Sequence, residues 1–258
     1  FIVDKCKRDA AKHWERFYRQ HGDKFFLDRH WLAREFEDVD ALAETELGDG
    51  SAPMTLLEVG CGAGNAIWPL VESHRHLRVF ACDFSPKAVE LVQSHPAYDP
   101  SRITAFVHDL TTPEPSLRSR IGGDEGVEAD LVTCLFVLSA IPPEKLTTAV
   151  RAMADALKPG GVLLLREHAR EDSAQLRFHT RKSAGYSEPS LLSADRPLYR
   201  RADWTLMLFF STDEIDALMH ECGLEGASHV VEQSITNRKQ EVTIPRRFAQ
   251  GRFVKPRA

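Results

Sequence analysis

The segment that most restricts what this chain can fold into is Leu56-Leu57-Glu58-Val59-Gly60-Cys61-Gly62-Ala63-Gly64-Asn65. A short apolar run enters a cluster of glycines, and an amphipathic segment follows at once. Glycine permits tight turns and close approach of the backbone to a ligand, and the start of a helix presents free N–H groups. The downstream chain repeats this alternation. Strands are expected at Met54–Val59, Arg78–Cys82, Ile103–Val107, Ala129–Leu135 and Gly161–Arg166, with helices beginning at Ala66 and Pro86 and spanning Pro143–Leu157. Short apolar runs alternating with amphipathic segments predict parallel strands joined by crossover helices, hence an α/β fold with a doubly wound, mostly parallel sheet.

Flanking segments break the pattern. Residues 1–47 carry Trp14, Phe17, Tyr18, Phe25, Phe26, Trp31 and Phe36 at partly helical spacing and read as a helical extension before a domain over 48–258. Little periodicity and much Ser, Pro and Arg between Glu171 and Arg201 suggest an inserted cap or loop, taken as about 171–204. Beyond it a strand at Thr205–Phe210 and a helix at Thr212–Cys222 are expected, and strands at His229–Glu232 and Glu241–Pro245 would close the sheet as an antiparallel hairpin.

Composition narrows the class. With 258 residues, 43% hydrophobic, the chain can bury a sizeable core, and no apolar run approaches the roughly 20 residues that span a bilayer, so no membrane partner is expected. Five scattered cysteines without a C-x-x-C pair suggest neither a disulfide framework nor a metal site. The net charge of −5 is unevenly spread: residues 161–258 hold 15 basic against 13 acidic side chains, and residues 1–160 hold 18 against 25. The basic end, with Phe248 and Phe253 interleaved, suits phosphate and bases or is a solvated tail.

Chemistry gathers at the strand ends. The spacing Gly60/Gly62/Gly64 is G-x-G-x-G, unlike the G-x-G-x-x-G of dinucleotide folds, and argues against a nicotinamide oxidoreductase. Glu58 precedes it. Asp83 closes the second strand, where a carboxylate can accept from both ribose hydroxyls. Asp109 and Leu110 follow the third strand, placed for an adenine amino group. Leu135-Phe136-Val137-Leu138-Ser139 ends the fourth, and Leu157-Lys158-Pro159-Gly160-Gly161 turns into the fifth. Taken singly, each acid reads equally as a helix cap or turn residue. Together, at the carboxyl ends of successive strands, they indicate an S-adenosyl-L-methionine site, with S-adenosyl-L-homocysteine as product.

A closer resemblance extends beyond that site. His13-Trp14-Glu15-Arg16-Phe17-Tyr18, Phe25-Phe26-Leu27-Asp28-Arg29-His30-Trp31, Ala81-Cys82-Asp83-Phe84-Ser85-Pro86, Gln175-Leu176-Arg177-Phe178 and Pro245-Arg246-Arg247-Phe248 are similar to the tRNA 3-methylcytidine methyltransferases. The resemblance implies a Rossmann-like class I methyltransferase fold and a tRNA anticodon stem-loop as substrate. It also implies an accessory protein such as an aminoacyl-tRNA synthetase in one branch, with Trp14 and Tyr18 closing over the cofactor beside Gly60, Asp83, Phe84, Asp109, Leu110 and Leu135. A monomer, working in the cytoplasm or nucleus or, with an upstream leader, in mitochondria, is expected. Arg29, His30, Arg177, Arg246, Arg247 and Lys255 are candidates for RNA phosphate contact. Glu167, beside Arg166 at the end of the fifth strand, is the candidate acceptor for a cytidine amino group. The sequence departs from the family pattern at Glu167-His168-Ala169, at Leu208, and at Trp204, which stands where a glycine is expected; a turn relying on positive φ there would have to change. A methyltransferase of small molecules or proteins, and a catalytically silent adaptor, are the competing readings.

Overall fold

The computed structural model describes residues 2–39, 53–122, 127–180, 191–193, 198–237 and 241–257. Helices α1 (Ile2–Arg8), α2 (Ala10–His21) and α3 (Leu32–Glu35) precede the sheet. The alternating core then runs β1 (Thr55–Val59), α4 (Ile67–Ser73), β2 (Arg78–Asp83), α5 (Pro86–Gln93), β3 (Ile103–Val107), α6 (Leu117–Gly122), β4 (Ala129–Leu135), α7 (Leu146–Ala156) and β5 (Leu157–His168). After it come α8 (Ser173–Thr180), the short strands β6 (Leu191–Ser193), β7 (Leu198–Arg200) and β8 (Leu206–Leu208), α9 (Thr212–Glu221), and the paired strands β9 (Glu225–Asn237) and β10 (Val242–Val254).

The main sheet has the order β3-β2-β1-β4-β5-β10-β9. The first five strands are mutually parallel, and β10 is antiparallel to both neighbours. All five residues of β1 are buried, as expected for a central strand covered on both faces. Side chains alternate between two core layers: Leu57, Val59, Cys82 and Val132 face one, and Leu56, Val79, Ala81 and Leu131 the other. Strand order reverses beside β1, where β2 lies on one side and β4 on the other. That opens a crevice at the strands' carboxyl ends, the usual ligand position in such sheets.

The fold is the one expected, with three corrections. A short helix, α6, lies between β3 and β4, where no element was expected. The basic end is no tail: Phe248 and Phe253 are buried within β10, between β5 and β9. The hairpin strands are also far longer than their hydrophobic patterns suggested. Within 171–204, the described residues form α8 and most of a small antiparallel sheet, β6-β7-β8, and α8 and β8 help to wall the crevice; residues 181–190 and 194–197 lie outside the described ones.

A candidate methyl-donor and substrate site

The bend after β1 is built on backbone freedom. Gly60 and Gly62 take φ of 60° and 54°, the left-handed region that glycine enters without strain. A Cβ at Gly62 would stand 2.6 Å from the Tyr18 hydroxyl oxygen, so the side-chain-free backbone lets Tyr18 close over the bend. Asp83 fixes the opposite rim: one carboxylate oxygen accepts the Gly62 N–H at 3.0 Å and the other the Ser85 N–H at 2.9 Å. Burial lifts its pKa to about 6 despite those donors. Glu15 of α2 accepts from Ser85 Oγ at 2.5 Å and from the Lys87 N–H at 3.1 Å, so a helix before the sheet sets its carboxylate against the positive N-terminus of α5.

Two cavities meet at this bend and share Trp14, Tyr18, Gly60 and Phe136. The smaller, about 150 Å³, is lined by Asp83, Phe84, His108, Asp109, Leu110 and Val137 among others. The larger, about 880 Å³, holds Glu58, Asn65, Leu135 and Ser139 on its sheet side. Its walls also carry four arginines, Arg29, Arg177, Arg201 and Arg246, together with the aromatic residues Phe25, Phe26, Trp31, Phe178 and Phe248. His168 sits among these arginines. Burial first, then the charges of Arg201, Arg246 and Arg29, hold its imidazole well below the usual range, in the neutral form. With an Arg246 guanidinium nitrogen 3.3 Å from Nδ1, that ring atom accepts and Nε2 carries the proton.

The residues suit an adenosyl group bearing a zwitterionic tail. Trp14 has a buried indole N–H without a partner. Asp83 is an enclosed carboxylate with acceptor capacity left over. Glu58 and Arg29 place opposite charges in one cavity, a match for an ammonium and a carboxylate. Glu58 accepts the Thr133 hydroxyl, and burial raises its pKa to about 7, with Thr133 and Arg29 pulling the other way.

Thus Trp14, Tyr18, Glu58, Gly60, Gly62, Asp83, Phe84, Asp109, Leu110 and Leu135 gather where the sequence placed them. Gly64 does not: it lines neither cavity, and a Cβ there would strike the Trp68 indole at 2.6 Å, so it serves packing. Arg166 and Glu167 also line neither cavity. Arg166 is 1% exposed, its guanidinium 4.4 Å from the Trp31 ring and 4.7 Å from Phe248, with Glu35 at 3.5 Å; it anchors α3 to the sheet. Glu167 is fully enclosed behind the Val137–Ser139 turn, where burial raises it to about 7 against the pull of the Ser139 hydroxyl and the backbone there. It cannot accept directly from a bound base.

Of the candidate RNA contacts, Arg29, Arg177 and Arg246 line the larger cavity. Arg29 lies 4.9 Å from the Phe136 ring, and Arg246 pairs with the buried Asp172 at 2.9 Å. His30 is exposed outside it. Arg247 is committed to Glu171 and Glu232. Lys255 donates to the Leu157 carbonyl at 2.6 Å, seven residues along β10 from the Phe248–His168 rung, or roughly 20 Å toward the opposite end of the sheet. It cannot serve this site. Arg201 and Asn65 went unpredicted because nothing in local spacing marks them; they reach the cavity through tertiary folding. Phe136 takes φ of 64°, a conformation its residue type does not announce. Trp204 keeps the positive φ of the expected glycine turn, at 72°, so that turn has not changed.

This sheet order with a glycine bend and paired cavities at the switch point is that of S-adenosylmethionine-dependent methyltransferases. Residues 57–163 match a family model described as a methyltransferase domain. The fold is similar to a SAM-dependent methyltransferase from Anabaena variabilis (TM-score 0.65, 17% identity, 95% of this chain and 94% of that one). It is also similar to magnesium protoporphyrin IX methyltransferase from Synechocystis (TM-score 0.55, 18% identity, all of both chains). In sequence the chain is 38% identical to the tRNA N(3)-methylcytidine methyltransferase trm141 of Schizosaccharomyces pombe, over 97% of this chain and 94% of the relative. It is 36% identical to the tRNA N(3)-cytidine methyltransferase METTL6 of Mus musculus, over 99% and 84%. The chain belongs to the tRNA N(3)-cytidine methyltransferase family.

Proposed function

We propose that the chain transfers a methyl group from S-adenosylmethionine to N3 of an unpaired cytidine in the anticodon loop of tRNA. The observation that carries this reading is the junction of the two cavities. One is acid-rimmed and suited to an adenosyl group. The other is arginine- and aromatic-lined and of a size for a nucleotide flipped from its stack, and both touch Trp14, Tyr18, Gly60 and Phe136. When bound, the donor supplies an electrophilic sulfonium methyl. Asp83 and Asp109 would hold its adenosine end, and Glu58 with Arg29 its amino-acid end.

Neutral cytidine already carries a lone pair at N3, so this chain need supply no strong base. Its task is to present the ring edge in line and exclude water, which is catalysis by orientation. The rings of Phe136, Phe248 and His168, with centroids 4.9 to 6.0 Å apart, make an apolar wall for that purpose. His168, neutral and protonated at Nε2, is a donor for a base carbonyl oxygen. Glu167, behind the lining residue Ser139, meets neither cavity and takes no direct part in this step. The decisive experiment incubates the purified chain with labelled S-adenosylmethionine and unmodified tRNA transcripts, followed by nucleoside mass spectrometry. Formation of 3-methylcytidine is expected, abolished when the loop cytidine is replaced by uridine. Label entering protein extract but not tRNA would refute the reading.

A further inference from the structure

Helices α1 and α2, which bring Trp14 and Tyr18 to the cavities, pack Ile2, Cys6 and Ala10 against the main core and Phe17 and Tyr18 against Ala88, and among the described residues polar and ring contacts tie them to the domain at three places. Lys7 meets Glu144 at 2.8 Å, and Glu15 meets the start of α5. The third place is the turn at 201–205. There Arg16 donates from Nη2 to the Asp203 carbonyl at 2.9 Å, and the His13 ring stacks on Trp204 with centroids 5.9 Å apart and planes 29° apart. The Lys5 ammonium lies 5.5 Å, and the Arg200 guanidinium 4.3 Å, from the Trp204 ring centre.

The turn itself is tight: the Trp204 N–H donates to the Arg201 carbonyl at 3.0 Å, and Asp203 Oδ1 accepts from both the N–H and the hydroxyl of Thr205. Its fourth residue, Trp204, sits at φ 72°. A bulky side chain in that region is strained and persists where the surroundings over-determine it. Here the return on the strain is visible. Residues from both N-terminal helices, Lys5 of α1 and His13 of α2, converge on this one indole. Arg201 on the same turn lies 6.0 Å from the Trp14 ring and lines the larger cavity.

We propose that Trp204 is a positioning residue for methyl-donor binding. Its ring latches α1 and α2 to the 201–205 turn, and so keeps Trp14 and Tyr18 over the junction of the cavities. The inference rests on the donor occupying that junction, as read above, but not on the identity of the acceptor.

Trp204→Gly removes the latch and relieves the backbone, so affinity and stability should part company. Calorimetry should show donor Kd raised about tenfold, while the unfolding temperature stays level or rises. Hydrogen exchange should quicken across residues 2–21, and kcat at saturating donor should stay within about twofold. Trp204→Phe, which keeps a ring, should restore most of the affinity. His13→Ala should reproduce the loss, and the double variant should be no worse than either single one, as for two halves of one contact. The proposal is overturned if Trp204→Gly and His13→Ala both bind donor within about twofold of the parent, or if affinity and unfolding temperature fall together. Donor binding and exchange are read without RNA, so a failure of tRNA methylation leaves this test intact.

Discussion

In its proposed role Asp83 has to be ionised to accept two ribose hydroxyls, yet burial raises its pKa to about 6. Donor affinity should therefore fall as pH drops from about 7.5 to about 5.5, and Glu58, raised to about 7, adds a loss of the same sign. Calorimetry across that range tests this. Asp83→Asn should weaken binding about tenfold or more and flatten its pH dependence; an unchanged profile in the parent would remove Asp83 from the donor site. Glu167 makes a separate statement about stability. Its folded pKa of about 7 lies above the ordinary value of 4.5, so the folded state holds the proton more tightly. That contribution is fully present below about pH 4.5 and is lost as pH rises through about 7. Glu167→Gln, a neutral copy of the protonated form, should shrink the fall in unfolding temperature between about pH 5 and 8. At pH 8 it should be a few degrees more stable than the parent. Because Glu167 meets neither cavity, kcat should change by no more than about threefold. A much larger loss of kcat would return it to the reacting groups.

At the scale of elements, β10 does two jobs that its sequence conceals. From Phe248 to Val254 it is an interior strand paired with both β5 and β9, whereas from Val242 to Arg247 it pairs with β9 alone. The hairpin therefore overhangs the carboxyl end of β5, beside the larger cavity. Pro245, which cannot donate to a ladder, is tolerated because it lies in that overhang. Phe253, fully buried in the interior half, should cost about 3–5 kcal/mol of stability when replaced by alanine, measured by urea unfolding, with donor affinity in the folded fraction unchanged. Legibility followed burial. Strands β1 and β4 are covered on both faces and read as apolar runs stopped by glycine or loop residues. The donor rim was readable because Gly60, Gly62, Asp83 and Asp109 lie at the ends of such runs. Strand β10 was not, because Arg246, Arg247, Arg252 and Lys255 look like a solvated tail until their partners Asp172, Glu171, Glu232, Asp38 and the Leu157 carbonyl are seen. Arg166 misled for a related reason. A cation at the end of a strand suggests chemistry, and only tertiary packing reveals it sandwiched between Trp31 and Phe248.

Taken whole, an acidic molecule is proposed to bind a polyanion, and the resolution lies in where the charge sits. The net charge is −5, but Arg29, Arg177, Arg201 and Arg246 line one cavity against only Glu58 and Asp203 as acids. Arg246 is compensated by Asp172, whereas among the described residues no carboxylate comes within ion-pairing distance of Arg29, Arg177 or Arg201. With Arg29 given to the donor's carboxylate, the two remaining guanidiniums, Arg177 and Arg201, predict about two neutralised phosphates, and hence a modest salt slope of about −1.4 in log K against log salt for a single-stranded loop. Between about 50 and about 200 mM salt, tRNA affinity measured by filter binding should fall roughly sevenfold, while donor affinity, set by enclosed groups, should stay within about twofold. Arg201→Ala should lower tRNA affinity and make that slope shallower by about 0.7. His30→Ala, outside the cavity, should leave the slope alone. A slope as steep as those of strongly basic nucleic-acid binders would mean that a broad positive surface, and not this arginine-lined mouth, holds the RNA; a flat one would mean that its phosphates are not engaged at all.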